Sequence, residues 1–374
     1  MPRNPKLTTL EGLLSDEERD AIISARATAP LHPLAVLLTG ESPSTTLIAA
    51  NTERAARHVK RRDEKWLGAL KKRLLQVHAL TGPASALAEL RAYGGLLDAG
   101  FEVSPVATAA SERKPDFKIN CNGEEMHVEV QAKQHDEAMA AELETFHRTS
   151  LEESAAKAVS TTGPSVTISM IDVHPFGKPK PGKPGDITRT NAISKISQIK
   201  EDEHQFTEGV PGLLWLDFQD AQNLGMALIC EDLSPVMSYQ GRVSSGVLWY
   251  ALYGWKGAPV FDRHCLLIPF AGKSVIPMEH DGRFRRSTKL SAVLISFPNA
   301  TMLAESFRAQ APIPDAFRRQ FPGLSWVHLP SSIIDWTANQ VEATISMQMQ
   351  MICAMANDPA YAPSPKQTDI IASK

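Results

Sequence analysis

Residues Phe117–Lys133 read FKINCNGEEMHVEVQAK, directly after Lys114-Pro115-Asp116. Two runs, Asp116–Asn120 and Glu125–Lys133, alternate in polarity around Asn122-Gly123. Asn-Gly between such runs is a strong hairpin signal, because a two-residue type I′ turn needs positive φ at both central positions. Side chains alternate along a strand, so Glu129, Gln131 and Lys133 share one face; Val128, Val130 and Ala132 share the other. A face sunk in a core would be apolar. A carboxylate, an amide and an amine at alternate positions therefore mark a strand that looks onto water, a cleft or a metal. The hairpin also brings Asp116 back toward Gln131 or Glu129, allowing for twist and a bulge.

Upstream, ASALAELRAYGGLLDAGFEV (84–103) reads as a helix that turns into a strand at Phe101–Val103. Ala86, Leu90, Tyr93 and Leu97 recur on one helical face, and Gly100 suits the left-handed terminator. Residues 1–80 look like a separate helical region, partly basic. Ser15 followed by acids opens one helix. A long helix starts at Asn51, rich in Lys and Arg, with Val59, Trp66, Leu70 and Leu74 as a sparse apolar stripe. Downstream, 136–159 is an acidic helix, SVTISMIDV (165–173) a strand, and 191–206 a helix. PGLLWLDF (211–218) is apolar enough for a central strand. Beyond residue 220, SSGVLWYALYG, HCLLIPF and LSAVLISF read as strands. TMLAESFRAQ and NQVEATISMQMQMICAMA read as helices, and the last residues as a flexible tail. The expected class is α/β, of the α+β mixed-sheet kind, with three layers and helices on the sheet faces. The expected regions are a helical extension (1–80), a core with elaborations (81–300) and a C-terminal helical segment with tail (301–374).

Bulk properties exclude several classes. The 374 residues are 43% apolar with net charge −3, so any nucleic-acid contact must come from local patches. The cysteines Cys121, Cys230, Cys265 and Cys353 are widely spaced and form no zinc or disulfide framework. No apolar run approaches the roughly 20 residues that span a bilayer, and the N-terminus lacks a signal core. A cytoplasmic protein without membrane contact is expected. No HExxH, P-loop, GxSxG or dinucleotide fingerprint occurs.

An Asp and a Glu beside an amide and an amine suit metal-assisted hydrolysis. Carboxylates bind hard cations such as Mg²⁺, and a Lys offsets charge developing on a phosphate. At these residues the sequence resembles the PD-(D/E)xK nuclease superfamily. PDF followed by VEVQAK is similar to its Asp…(D/E)-x-K motif, and VQAK to the Q-x-K variant of Mrr-type restriction endonucleases. ELRAYGGLLDAGFEV resembles the family's first helix and strand. The likeness covers roughly residues 80–220. It implies a restriction-endonuclease-like core and a Mg²⁺-dependent (or Mn²⁺-dependent) endonuclease acting on phosphodiesters, chiefly of DNA. Restriction, phage defence and repair are the implied roles, and a homodimer the implied assembly. It further implies metal contacts from Asp116, Gln131, Glu89 and Glu129, with Lys133 at the attacking water. Two registers fit: E-x-Q at Glu129–Gln131 and Q-x-K at Gln131–Lys133. The second keeps the Lys in place and is the expected one, with Glu129 assisting.

Two basic segments would contact nucleic acid. One is the Pro/Gly loop with Lys178, Lys180, Lys183 and Arg189. The other is DGRFRRSTK, with Arg283, Arg285 and Arg286. Each pattern also suits a solvated loop. Gln at a carboxylate position motivates a competing expectation: a nuclease fold without catalysis, serving as a nucleic-acid-binding or assembly subunit.

Overall fold

The computed structural model describes residues 7–25, 32–40, 43–76, 81–106, 114–133, 137–160, 180, 188–197, 206–220, 247–261, 274–298, 300–324 and 335–336, and residues 349, 350, 353, 354 and 357. The opening hairpin forms as the sequence dictates. Asn122 and Gly123 both take positive φ, 53° and 84°. They join β2 (Phe117–Cys121) to β3 (Glu124–Ala132), and β1 (Glu102–Pro105) lies antiparallel on the far side of β2. β4 (Gly212–Asp217) runs parallel to β3. A separate ribbon pairs β5 (Pro259–Phe261) with β6 (Ser274–Pro277). β7 (Leu290–Phe297) lies parallel to β4, and β8 (Ala300–Glu305) turns back antiparallel on it. The result is a six-strand mixed sheet with a two-residue seventh strand, β9 (Asp335–Trp336), at its edge.

Helices cover both faces. On one side lie α1 (Thr8–Glu11), α2 (Asp16–Ala25), α3 (Pro33–Thr39), α4 (Pro43–Leu74) and α5 (Thr81–Asp98). Their apolar residues share one core with Val128, Val130, Leu213 and Trp215 of the sheet. Ser15 and Glu18 exchange hydrogen bonds as a capping box at the start of α2. The buried Glu53 of α4 accepts from the Thr9 and Leu10 amides, which ties α1 to α4. α4 and α5 cross closely at Gly94, where a Cβ would meet the Ala55 Cα at 2.4 Å. α4 kinks at Asp63, at φ −151° and ψ 73°; the Asp63 carboxylate then caps the second half by accepting from the Trp66 amide at 3.0 Å.

On the other face, α7 (Thr188–Ser197) and α8 (Val247–Tyr253) pack with Leu214, Leu216, Val293 and Ile295. α6 (Glu137–Ser160) follows β3 in the chain, and α9 (Asp315–Gln320) stacks Phe317 on Phe101 beside β1.

Several expectations need correction. The sequence leaves open whether residues 1–80 are a domain or an arm; Leu10, Ile22, Leu37 and Val59 belong to the core under the sheet. SSGVLWYALYG contains the helix α8, all of whose residues are buried; a short apolar run has no period that separates strand from helix. TMLAESFRAQ contains most of β8, because a tight return from β7 places Leu303 and Ala304 in the sheet. The expected boundary at residue 300 therefore cuts a hairpin. The expected strand 165–173, HCLLIPF and most of the helix 339–356 lie outside the described residues.

Candidate functional site

The site grows from the open end of β3. Val128 and Val130 join the core beneath α5, as their alternation requires. Glu129 pairs in register with Leu214 of β4, and Gln131 with Leu216, on the opposite face. Burial weakens toward the strand end. Glu129 is 9% exposed, and Gln131, Ala132 and Lys133 are half-buried. The Lys133 amide donates to the Asp217 carbonyl at 2.7 Å, so this end stays fixed to β4.

Asp116 stands one residue before β2. The hairpin register places Phe117 opposite Val128, which sets Asp116 across from Glu129. One Asp116 oxygen accepts from the Val130 amide at 2.8 Å, and the Glu129 side chain is close enough to act on the carboxyl. Burial and the nearby Glu89 charge push the Asp116 carboxyl up to about 7, against the opposing pull of the Val130 amide, Arg73 and Glu129. Near neutral pH this carboxyl is thus poised between its two states, as is common at functional sites.

The other expected residues are placed differently. Lys133 Nζ donates to Gln131 Oε1 at 2.9 Å, so amide and amine form one polar unit beyond the carboxylate pair. Glu89 on α5 is close enough to influence Asp116, but Arg73 of α4 grips it through two bonds of 2.7 and 2.5 Å. As placed, Glu89 neutralises an arginine. His127, on the Glu129 face, is 3% exposed and bonds Glu125 at 3.1 Å; burial lowers its pKa.

Sequence reading missed the buried ionic group beside this site. Arg91 of α5 is fully buried and donates to Asp217 at 2.8 Å and to Asp220 at 2.5 Å. Its guanidinium also reaches Thr52, and the Gln219 amide caps Asp217. Burial opposes the charge on Arg91, but Asp217 and Asp220 outweigh it and its pKa is raised. The available signal was Arg91 itself, a charge inside the apolar stripe of a helix.

The basic residues divide. Arg283 is 4% exposed, next to the fully buried Phe284, so it is not a surface phosphate contact as expected. Arg285 is half-buried and Arg286 exposed. Lys180 is exposed; Lys178 and Lys183 lie outside the described residues, and Arg189 sits on α7. Among the described residues, no three or more His, Cys, Asp or Glu are grouped to hold a metal, and no helix is long and apolar enough to cross a membrane. Comparison with protein-family models, with curated proteins and with solved structures gives no match.

Asp116 and Glu129 supply hard oxygen donors at a half-buried strand end. Two carboxylates so close repel one another when both are ionised, a cost that a cation relieves. The pair suits a divalent ion that keeps most of its waters, as Mg²⁺ does.

Proposed function

We propose that this chain is a metal-dependent nuclease of the PD-(D/E)xK type, hydrolysing phosphodiester bonds, chiefly of DNA. The observation that carries the reading is Asp116 facing Glu129 at the Val130 amide, at the open end of a hairpin strand. The surrounding order also supports it: helix α5, three antiparallel strands, helices, and a parallel β4. This geometry favours the E-x-Q register over Q-x-K, because Glu129 rather than Gln131 is the cross-strand partner of Asp116.

In this reading Asp116 and Glu129 hold Mg²⁺ or Mn²⁺. When bound, the ion supplies Lewis acidity toward water and phosphate. The residues do the rest. The Val130 amide fixes the Asp116 carboxylate. Gln131 orients a water by hydrogen bonding. Lys133, held against Gln131, offsets negative charge gained by the phosphate. Glu89 and Arg73 act behind Asp116, through its charge state.

A second reading has its own observation. Glu89 is neutralised by Arg73 and Lys133 is engaged with Gln131, which leaves two carboxylates as the acidic site. A nuclease fold that binds nucleic acid without cutting it accounts for this arrangement.

The test incubates the protein with plasmid, linear duplex, single-stranded DNA and RNA, in Mg²⁺, Mn²⁺ or EDTA. Asp116→Asn and Glu129→Gln are expected to lower metal-dependent cleavage by about 10²–10³-fold, the usual loss when a group that stabilises transition-state charge is removed. Gln131→Ala should cost less. The reverse ranking of Glu129 and Gln131 would restore the Q-x-K register. Binding without cleavage in every metal assigns the second reading, and neither binding nor cleavage removes both.

A further inference from the structure

We infer that the outer face of α4 is a docking surface for the phosphate backbone of duplex DNA. The inference rests on the nuclease-fold reading for its partner, and on α4 for its place.

α4 buries one side along its whole length. Ala55, Ala56 and Val59 before the kink, and Leu67, Leu70 and Leu74 after it, all enter the core beneath the sheet. The opposite side of both halves is therefore a continuous outer face despite the kink at Asp63. That face is basic: Arg57, Arg61, Arg62, Lys65 and Lys72 are all exposed. Other cations of the helix are already engaged, Arg54 with Asp98, Lys71 with Glu18 and Arg73 with Glu89. Among the described residues, Arg61, Arg62, Lys65 and Lys72 form no ion pair. Four available cations on one helix, in a chain of net charge −3, are a local field that the composition conceals.

The inner side of the same helix is held at two points near Asp116. Trp66 packs its ring 5.9 Å from Phe117, the residue after Asp116. In the last turn of the helix, Arg73 grips Glu89, whose charge acts on Asp116.

The surface chemistry selects the partner. Between Lys65 and Lys72 the face carries Gly68 and Ala69, both exposed, and a Cβ at Gly68 would meet nothing within 4 Å. Lysines at i and i+7 with small residues between them let a polyanion approach the helix backbone. A single strand would need exposed aromatics for base stacking, and a membrane surface would need an exposed apolar face. The one large exposed hydrophobic residue among those described is Leu47, and Trp66 is half-buried against Tyr93 and Phe117. A duplex, read through its phosphates, needs neither.

The test measures binding separately from cleavage. Fluorescence anisotropy of a labelled duplex is recorded in EDTA across a salt series, for wild type, Arg61→Ala/Lys65→Ala/Lys72→Ala and Gly68→Glu. The triple variant should bind at least tenfold more weakly. Its salt slope should flatten by about 3, near 0.9 for each lost phosphate contact. Gly68→Glu places a carboxylate in the middle of the face while replacing glycine with a better helix former; it should melt no lower than wild type and still lose affinity. Unchanged affinity in both α4 variants overturns the proposal, even if the protein cleaves DNA. Weakened binding with no cleavage by wild type keeps the docking surface and removes the catalytic reading. Equal or tighter binding of single-stranded DNA or RNA overturns the choice of duplex.

Discussion

Two acidic pairs lie near the ends of adjacent strands, and they differ in what was built around them. Asp217 and Asp220 close on the buried guanidinium of Arg91, with Thr52 completing its contacts. Asp116 lies across from Glu129 and accepts from the Val130 amide, while Arg73, which acts on Asp116, is gripped by Glu89. The first pair carries its cation permanently and braces α5 to β4. The second places acidic groups together near a strand end with no cation packed between them, a charge cost that a bound cation would relieve. The chemistry of a carboxylate pair is thus decided by whether a counter-charge is packed in with it.

Breaking the brace should have the largest effect. Arg91→Met leaves Asp217 and Asp220 buried without their partner and should cost about 3–5 kcal/mol, read from urea unfolding. A loss below about 1 kcal/mol would show that the two acids find water or protons instead.

Divalent binding ranks next. At a metal concentration 100 times Kd, wild type should gain about 2.7 kcal/mol, whereas Asp116→Asn and Glu129→Gln should gain almost nothing. Equal gains in all three would place the ion elsewhere.

The third prediction concerns pH. The folded Asp116 value, about 7, lies above its ordinary 3.8. Between these values the folded chain holds the proton more tightly than the unfolded chain. Its stabilising contribution is complete below the unfolded value, shrinks as pH rises through the window, and is lost above about 7. Asp116→Asn should therefore melt higher than wild type at pH 8, by roughly 2–5 °C, with the gap closing by pH 4. A pH-independent gap would remove Asp116 as the titrating group.

The smallest effect belongs to Arg73→Met. It removes one of the influences that hold Asp116 down, so the carboxyl titration followed by NMR should move upward. A downward move would break the assigned link between α4 and the pair.

Much of the fold was legible because it is local. Asn122-Gly123 announced the hairpin, Gly100 ended α5 at φ 86°, and the apolar PGLLWLDF became the central β4. The pairing of Asp116 with Glu129 was also available in principle. A two-residue turn fixes register, and counting back from Asn122-Gly123 sets 116 opposite 129. Allowing for a bulge kept Gln131 in contention; the hairpin has none, since its pairs run unbroken from Cys121–Glu124 to Phe117–Val128. α8 and β8 were misread for the opposite reason. Their state is set by what covers them, and neighbours distant in sequence override weak local preference.

The sequence by itself determined the hairpin, the polar face of β3 and the helix that precedes them, because turn chemistry and side-chain periodicity act over a few residues. Only the tertiary structure decided what neutralises each acid. Arg91 meets an aspartate 126 positions away and Arg73 a glutamate 16 positions away on the next helix. A buried charge is satisfied by whichever partner the packing of helices and sheet brings within reach, and local sequence does not encode that distance.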